Sequence, residues 1–199
     1  MKTNKKFMTT KTIVLGAVMT ALVIVLQSIA SFLPNFFGSF SGAIALVPII
    51  IGAALCGPYI GIWLGFVFAV VVLFTAPDAH FFMTIDPFAT ILIVVLKGTL
   101  CGLVSATIYR LFSKINDILG AVCASIICPI VNSGTFLLGA LLMLTDNITE
   151  ITNGSESGLF ATLAFFWAAI TANFLFELGM CAVLSPVIVK LLSIRKRMH

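Results

Sequence analysis

Charged side chains are scarce in this sequence. Only 9% of its 199 residues are Asp, Glu, Lys or Arg, whereas 61% are hydrophobic, and soluble domains carry about 25% charged residues. This composition effectively excludes a soluble enzyme. Because a membrane-crossing helix takes about 20 residues, the chain has room for roughly six helices and none for an extramembrane domain, an ATPase module or a nucleotide-binding fold. We therefore expect any energy source to lie in a partner or in a gradient.

Patterns of catalytic and metal-binding residues are also missing. The sequence contains no Gly-rich phosphate loop, nucleophile elbow or HExxH pattern, and its 7 acidic residues are too scattered for a convincing acid/base pair. The cysteines lack zinc-like and CxxC spacing, so we interpret them as small apolar packing residues. They are Cys56, Cys101, Cys123, Cys128 and Cys181. We expect neither an enzyme, nor a metal site, nor a cofactor bound by this chain.

The hydrophobic residues are collected into runs, which predict an all-α integral membrane protein. The whole chain, 1–199, is expected to form a single domain of six transmembrane helices. The expected spans are 11–33, 41–56, 58–76, 86–112, 117–144 and 159–191. Asp86 and Pro87 are typical of a helix start, with Asp as the cap and Pro at the first helical position. The polar, acidic segment 145–158 is expected to be a loop outside the membrane.

The basic residues mark one face of the membrane. They cluster before the first run, between the fourth and fifth runs, and after the last run, which an even number of spans places on one side. Their positions indicate a cytoplasmic face, with both termini cytoplasmic, so the chain's net charge of +4 does not indicate a nucleic-acid partner. The exception is Lys97, which lies inside the fourth run.

Small residues recur at helical spacing in two places. Gly57, Gly61 and Gly65 are four residues apart, a spacing that lets helices approach closely, and we interpret them as internal packing. Ala17 and Ala21 form a similar stripe on the first helix. That stripe either packs internally or docks another membrane protein.

Several polar side chains are expected at membrane depth, where they are costly and are functional candidates. Lys97 lies 11 residues after Asp86, or roughly 16 Å along a helix, near the bilayer midplane. Two interpretations stay open and can coexist. Lys97 and Glu177 form a buried pair that ties two helices together, or Lys97 binds an anionic group while neighbouring amides and hydroxyls supply hydrogen bonds. The polar set is Lys97, Asn132, Ser133, Thr135, Asn173 and Glu177.

The outer connections 34–42 and 76–82 combine aromatic residues with Gly, Ser, Asp and His. Aromatic residues at an interface are usually anchors to the headgroup region, but such loops also suit a lid over a small solute. We therefore add residues from these connections and from neighbouring spans to the candidate solute-binding residues. The added residues are Phe37, Ser39, Asp78, His80, Thr90 and Trp167.

Three motifs together resemble one transporter family. They are Ala17-Val18-Met19-Thr20-Ala21, Gly57-Pro58-Tyr59-Ile60-Gly61 and the run from Leu96 to Val104. Along its whole length the chain resembles the substrate-binding S component of an energy-coupling factor (ECF) vitamin transporter. The resemblance implies a multi-pass protein of a prokaryotic plasma membrane that captures a water-soluble vitamin from outside. It also implies as partners a transmembrane coupling protein, contacted through Ala17 and Ala21, and two cytoplasmic ATPases that use the ATP.

The choice of vitamin depends on Lys97. A lysine at midplane depth favours a solute with a carboxylate or phosphate, and Asn, Ser and Thr suit hydroxyl and amide neighbours. Pantothenate meets these needs, while folate and pyridoxine derivatives stay open. The main alternative function is a stand-alone secondary transporter or channel in which Lys97, Glu177 and His80 relay ions. An integral-membrane enzyme is the least favoured alternative, because no catalytic constellation is visible.

Overall fold

A computed structural model describes residues 10–32, 41–151, 171, 174–186, 188 and 190. Within these residues every regular element is an α-helix, as the all-α prediction requires. The first six helices in chain order are α1 (Thr10–Phe32), α2 (Ser41–Cys56), α3 (Pro58–Thr75), α4 (Pro77–Ile85), α5 (Pro87–Phe112) and α6 (Asp117–Ile151). A shorter apolar helix, α7 (Phe174–Pro186), follows.

The helix starts are encoded by local sequence. Gly57 adopts a φ of 93°, which a residue with a side chain rarely tolerates, and it separates α2 from Pro58 at the start of α3. At the start of α5 the Asp86 side chain accepts a hydrogen bond from the backbone N–H of Ala89 at 3.0 Å. The predicted cap at Asp86 and the proline in the first turn are therefore confirmed.

Two segments that were expected to be connections are helical instead. Residues 77–85 form α4, whose buried Ala79 and Phe82 lie three residues apart and so face the bundle together. Helix α6 continues to Ile151 through residues that we expected to belong to an outer loop beginning at residue 145. Both loop predictions were wrong over these residues.

Length and composition support a membrane protein. Among the described residues, 4 helices are long and apolar enough to cross a bilayer: Thr10–Ser31, Pro58–Thr75, Pro87–Phe112 and Asp117–Leu142. Ile44–Cys56 and Phe174–Pro186 are shorter apolar helices. The chain is therefore a multi-pass membrane protein, whereas six crossings and cytoplasmic termini stay predictions.

Helices α3 and α5 lie in close backbone contact, which depends on glycine. A Cβ atom added to Gly65 would overlap the carbonyl of Gly98, and one added to Gly61 would overlap the carbonyl of Gly102. The interpretation of Gly61 and Gly65 as internal packing residues is thus confirmed. On its other side α5 packs along α6, while α1 packs on α2 and α3.

Gly65→Ala is expected to destabilise the protein by about 1 to 3 kcal/mol, since the added methyl meets backbone that cannot rotate away. Gly134→Ala is the matched control, because nothing lies within 4 Å of the position of its added Cβ and alanine favours a helix. Thermal unfolding in detergent measures both. Equal melting temperatures for Gly65→Ala and the wild type would contradict the proposed tight contact.

Candidate functional site

The centre of the candidate site is a buried carboxylate between α6 and α7. Glu177 on α7 is 1% exposed, and Asn132 and Ser133 on α6 are 3% and 6% exposed. The Asn132 Nδ2 group lies 3.1 Å from each Glu177 carboxylate oxygen, and the Ser133 hydroxyl donates to Glu177 Oε2 at 2.7 Å. Since a charge or polar group buried without a partner costs several kcal/mol, these bonds are what allow Glu177 to lie inside an apolar bundle.

Asn132 keeps one polar atom without a partner. Its Oδ1 is buried and makes no hydrogen bond. The amide is oriented with Nδ2 toward both Glu177 carboxylate oxygens, which is the arrangement that an ionised carboxylate requires, since it only accepts hydrogen bonds. Asn132 thus presents a buried carbonyl acceptor that the protein itself does not use.

Lys97 on α5 contacts α6 about one helical turn away from Asn132. Its Nζ lies 4.4 Å from the centroid of the Phe136 ring, which is within the range of a cation–π interaction. The rings of Phe82 on α4 and Phe136 also pack edge to face, with centroids 5.4 Å apart and an interplanar angle of 89°. The half-buried Lys97 therefore lies beside an aromatic group that connects α4, α5 and α6.

An apolar layer of cysteines lies next to the polar residues. Cys101, Cys128 and Cys181 are fully buried, and each is four residues from one of Lys97, Asn132 and Glu177. The Sγ atoms of Cys101 and Cys128 lie 2.9 Å apart as free thiols. For these three residues the interpretation as packing groups is supported, and the layer closes one side of the site to water.

The structure also describes three other residues that we predicted to bind solute. Thr90 is buried in the first turn of α5, where its hydroxyl donates to the backbone carbonyl of Asp86 at 2.6 Å. Thr135 is half-buried on α6 and His80 is exposed on α4. The roles that we predicted for them in solute binding stay predictions.

The remaining candidates fall outside what the structure describes. Phe37, Ser39, Trp167 and Asn173 lie outside the described residues. Asp78 lies in α4, but its side chain is not among those described. Their assignment to the solute site likewise stays a prediction.

The alanine stripe of α1 lies on an open face. Ala17 and Ala21 are both exposed, whereas the adjoining Gly16 faces the Ile60 side chain of α3. Trp63 on α3 donates to the Thr20 hydroxyl at 3.2 Å, and Thr20 donates to the Gly16 carbonyl. These contacts fix the rotation of α1, so within the described structure the two alanines do not pack internally.

Sequence reasoning missed a second buried polar group. Gln27 on α1 is fully buried with an unpartnered Oε1, and its Nε2 lies 3.5 Å from the Ser31 hydroxyl. Ser31 donates to the Thr75 hydroxyl at 2.9 Å and so links the ends of α1 and α3. A glutamine inside an apolar run is the same signal that identified Asn132, so Gln27 could have been found by that criterion.

Comparison with known proteins assigns the chain to a family. The family model described as "ECF transporter, substrate-specific component" matches residues 11–189, which is well over half of the chain. Neither the curated proteins nor the solved structures contain a match. The match covers the helices that carry the buried polar residues and the alanine stripe, and it describes a transporter component rather than an enzyme. The chain therefore belongs to the family of substrate-specific components of ECF transporters.

Proposed function

We propose that this protein captures a water-soluble vitamin or vitamin precursor from outside the cell and releases it only with the help of other subunits. The observation that carries the proposal is the meeting of Asn132, Ser133 and Glu177 inside an apolar bundle, with Lys97 of α5 lying against Phe136, about one turn from Asn132 along α6. Such groups are expensive in a bilayer and are typical of a solute site. The family supports a substrate-binding role.

The preferred solute is pantothenate. Its carboxylate suits the ammonium of Lys97, and its hydroxyls and amide suit the side chains of α6. The Lys97 ammonium keeps its positive charge beside the Phe136 ring, because a cation–π contact does not neutralise it. Folate and pyridoxine derivatives satisfy the same charge requirement and are the other candidates.

The proposed partners are a transmembrane coupling protein and two cytoplasmic ATPases in a prokaryotic plasma membrane. ATP is used by the ATPases and no cofactor is proposed for this chain. The coupling protein is proposed to dock on the exposed face of α1 at Ala17 and Ala21, where small side chains permit close helix contact. Solute delivery then follows from reorientation of the whole S component against its partner.

The alternative of an ion-relaying secondary transporter finds less support. It required Lys97, Glu177 and His80 to act in sequence, but His80 is exposed on α4 and Glu177 is already bound by Asn132 and Ser133. Mass spectrometry of the small molecule that copurifies with the protein tests the proposal directly. A vitamin-sized anion supports it, and the absence of any bound or binding vitamin contradicts it.

Lys97→Met is expected to weaken pantothenate binding by about 1.5 to 3 kcal/mol, since it removes a charge-assisted hydrogen bond. Panthenol, in which an alcohol replaces the carboxylate, provides the matched ligand and should bind the wild type and the variant equally. Isothermal titration calorimetry on protein in detergent measures both ligands. Unchanged pantothenate affinity in the folded variant would assign Lys97 to structure alone.

Replacing Ala17 and Ala21 together by Leu is expected to abolish partner association and ATP-driven uptake, while solute affinity stays within about twofold. Bulky side chains prevent close helix approach, and the two alanines lie on the exposed face of α1. Copurification with the partners, uptake into proteoliposomes and calorimetry provide the three measurements.

Leu22→Phe serves as the control for the alanine variant, because Leu22 is exposed on a different side of α1 and gains similar bulk. It should retain partner association and uptake. Wild-type protein reconstituted without partners should bind solute and accumulate none. Loss of solute binding in the alanine variant would show that the stripe belongs to internal packing, and sustained uptake by the protein alone would contradict the proposed function.

A further inference from the structure

The unpartnered carbonyl of Asn132 bears on which hydrogen-bonding groups the solute carries. An acceptor that is buried without a hydrogen bond carries a desolvation cost of about 1 to 3 kcal/mol. The Asn132 side chain is 3% exposed, and its Oδ1 has no partner. The amide cannot rotate to remove the cost, since turning it over would direct Oδ1 at the carboxylate of Glu177.

We propose that Asn132 Oδ1 accepts a hydrogen bond from an O–H or N–H group of the bound solute. The inference rests on the proposed function, namely that this cluster is the solute site. It adds a requirement that Lys97 does not impose. The solute needs a hydrogen-bond donor for Asn132 as well as an anionic group for Lys97.

Local charge orients the solute. Asn132 Oδ1 belongs to the amide whose Nδ2 contacts the Glu177 carboxylate, and groups of negative character repel an anion and attract a donor. The cation of Lys97 lies against Phe136, and four residues separate Asn132 from Phe136 on α6. That spacing corresponds to about 6 Å along the helix axis.

The solute class is therefore a small organic anion that carries a hydrogen-bond donor apart from its anionic group, since Lys97 contacts α6 at Phe136, one helical turn from Asn132. Pantothenate, with a carboxylate at one end and hydroxyls at the other, meets the requirement.

Gln27 does not support a comparable inference. Its Oε1 is also buried and unpartnered, but its Nε2 contacts the Ser31 hydroxyl at 3.5 Å. Since a hydroxyl both donates and accepts, nothing there selects which end of the amide faces Ser31. The fixed orientation of Asn132 is what distinguishes it.

The test compares hydroxylated solutes with deoxy counterparts. Calorimetry measures pantothenate and pyridoxine 5′-phosphate, each beside analogues in which one hydroxyl at a time is replaced by hydrogen. We expect one replacement to weaken binding to the wild type by tenfold to 100-fold. In Asn132→Leu the same replacement should change affinity less than threefold, because the acceptor is absent. Leu138→Ala, at an exposed position on α6, should retain the wild-type ratio.

A second variant guards against loss of folding. Asn132→Leu alone removes a donor from Glu177. Asn132→Leu combined with Glu177→Leu removes the amide and the carboxylate together, which is often neutral for stability, and the remaining Ser133 hydroxyl can donate to the backbone of its own helix. Thermal unfolding should show the double variant near the wild type, and it too should lose the preference for the hydroxylated solute.

The outcomes separate the two claims. If neither probe binds the wild type and mass spectrometry finds no copurified small anion, the proposed function fails and the inference fails with it. If a probe binds but every deoxy analogue binds equally well, the inference alone is overturned and Asn132 Oδ1 is satisfied by water. Retention of the preference in a folded Asn132→Leu variant also overturns the inference.

Discussion

The structure depends on one constraint, namely that a polar group in hydrocarbon must find its partner within the protein. Helices satisfy this for the backbone, but they do nothing for a side chain such as Glu177. Asn132 and Ser133 on α6 both donate hydrogen bonds to its carboxylate and so help to accommodate it. These hydrogen bonds fix the rotation and depth of α7 relative to α6, which apolar packing against lipid-like surfaces specifies poorly.

The close contact of α3 with α5 holds in place the helix that carries Lys97. Without side chains at Gly65 and Gly98, the two backbones meet directly, and van der Waals contact is a main source of helix association in a bilayer. Helix α5 is thereby fixed on one side, while its other side packs along α6. Lys97 is thus presented to Phe136 from a helix with little freedom to move, and preorganisation of this kind lowers the cost of binding a solute.

The sequence predicted helix existence well and helix ends poorly, for a physical reason. Hydrophobicity reports where a chain leaves the hydrocarbon, whereas a helix ends where its backbone hydrogen bonds end. Helix α6 therefore continues to Ile151, beyond the apolar run that was expected to end at residue 144. Residues 77–85 were expected to be a connection, yet they form α4. Pro77 suits a first helical position, and Ala79 and Phe82 provide an apolar face. The boundaries at Gly57 and Asp86 were predictable because special backbone geometry and a side-chain cap define them.

For the candidate site, the sequence indicated how deep the polar side chains lie in the membrane but not which way they face. Asn132, Ser133 and Glu177 were recognised because polar residues in apolar runs are conspicuous, but their mutual contact depends on helix rotation, which composition does not encode. The role of Phe136 was invisible among 18 phenylalanines. Gln27 is equally conspicuous in the apolar run of α1.

The positions of the open face and the polar cluster have a mechanical consequence. Ala17 and Ala21 lie on α1, which packs on α2 and α3, whereas the polar cluster lies on α6 and α7 with Lys97 on α5. A partner bound at the alanines is then connected to the cluster through α2 and α3, which both pack on α5, and α3 does so through the glycine contact. Because that contact has no side chains to rearrange, it transmits displacement as a rigid connection. A partner on α1 is therefore expected to move the bundle as a unit, which suits reorientation of the whole subunit better than a local change at the bound solute.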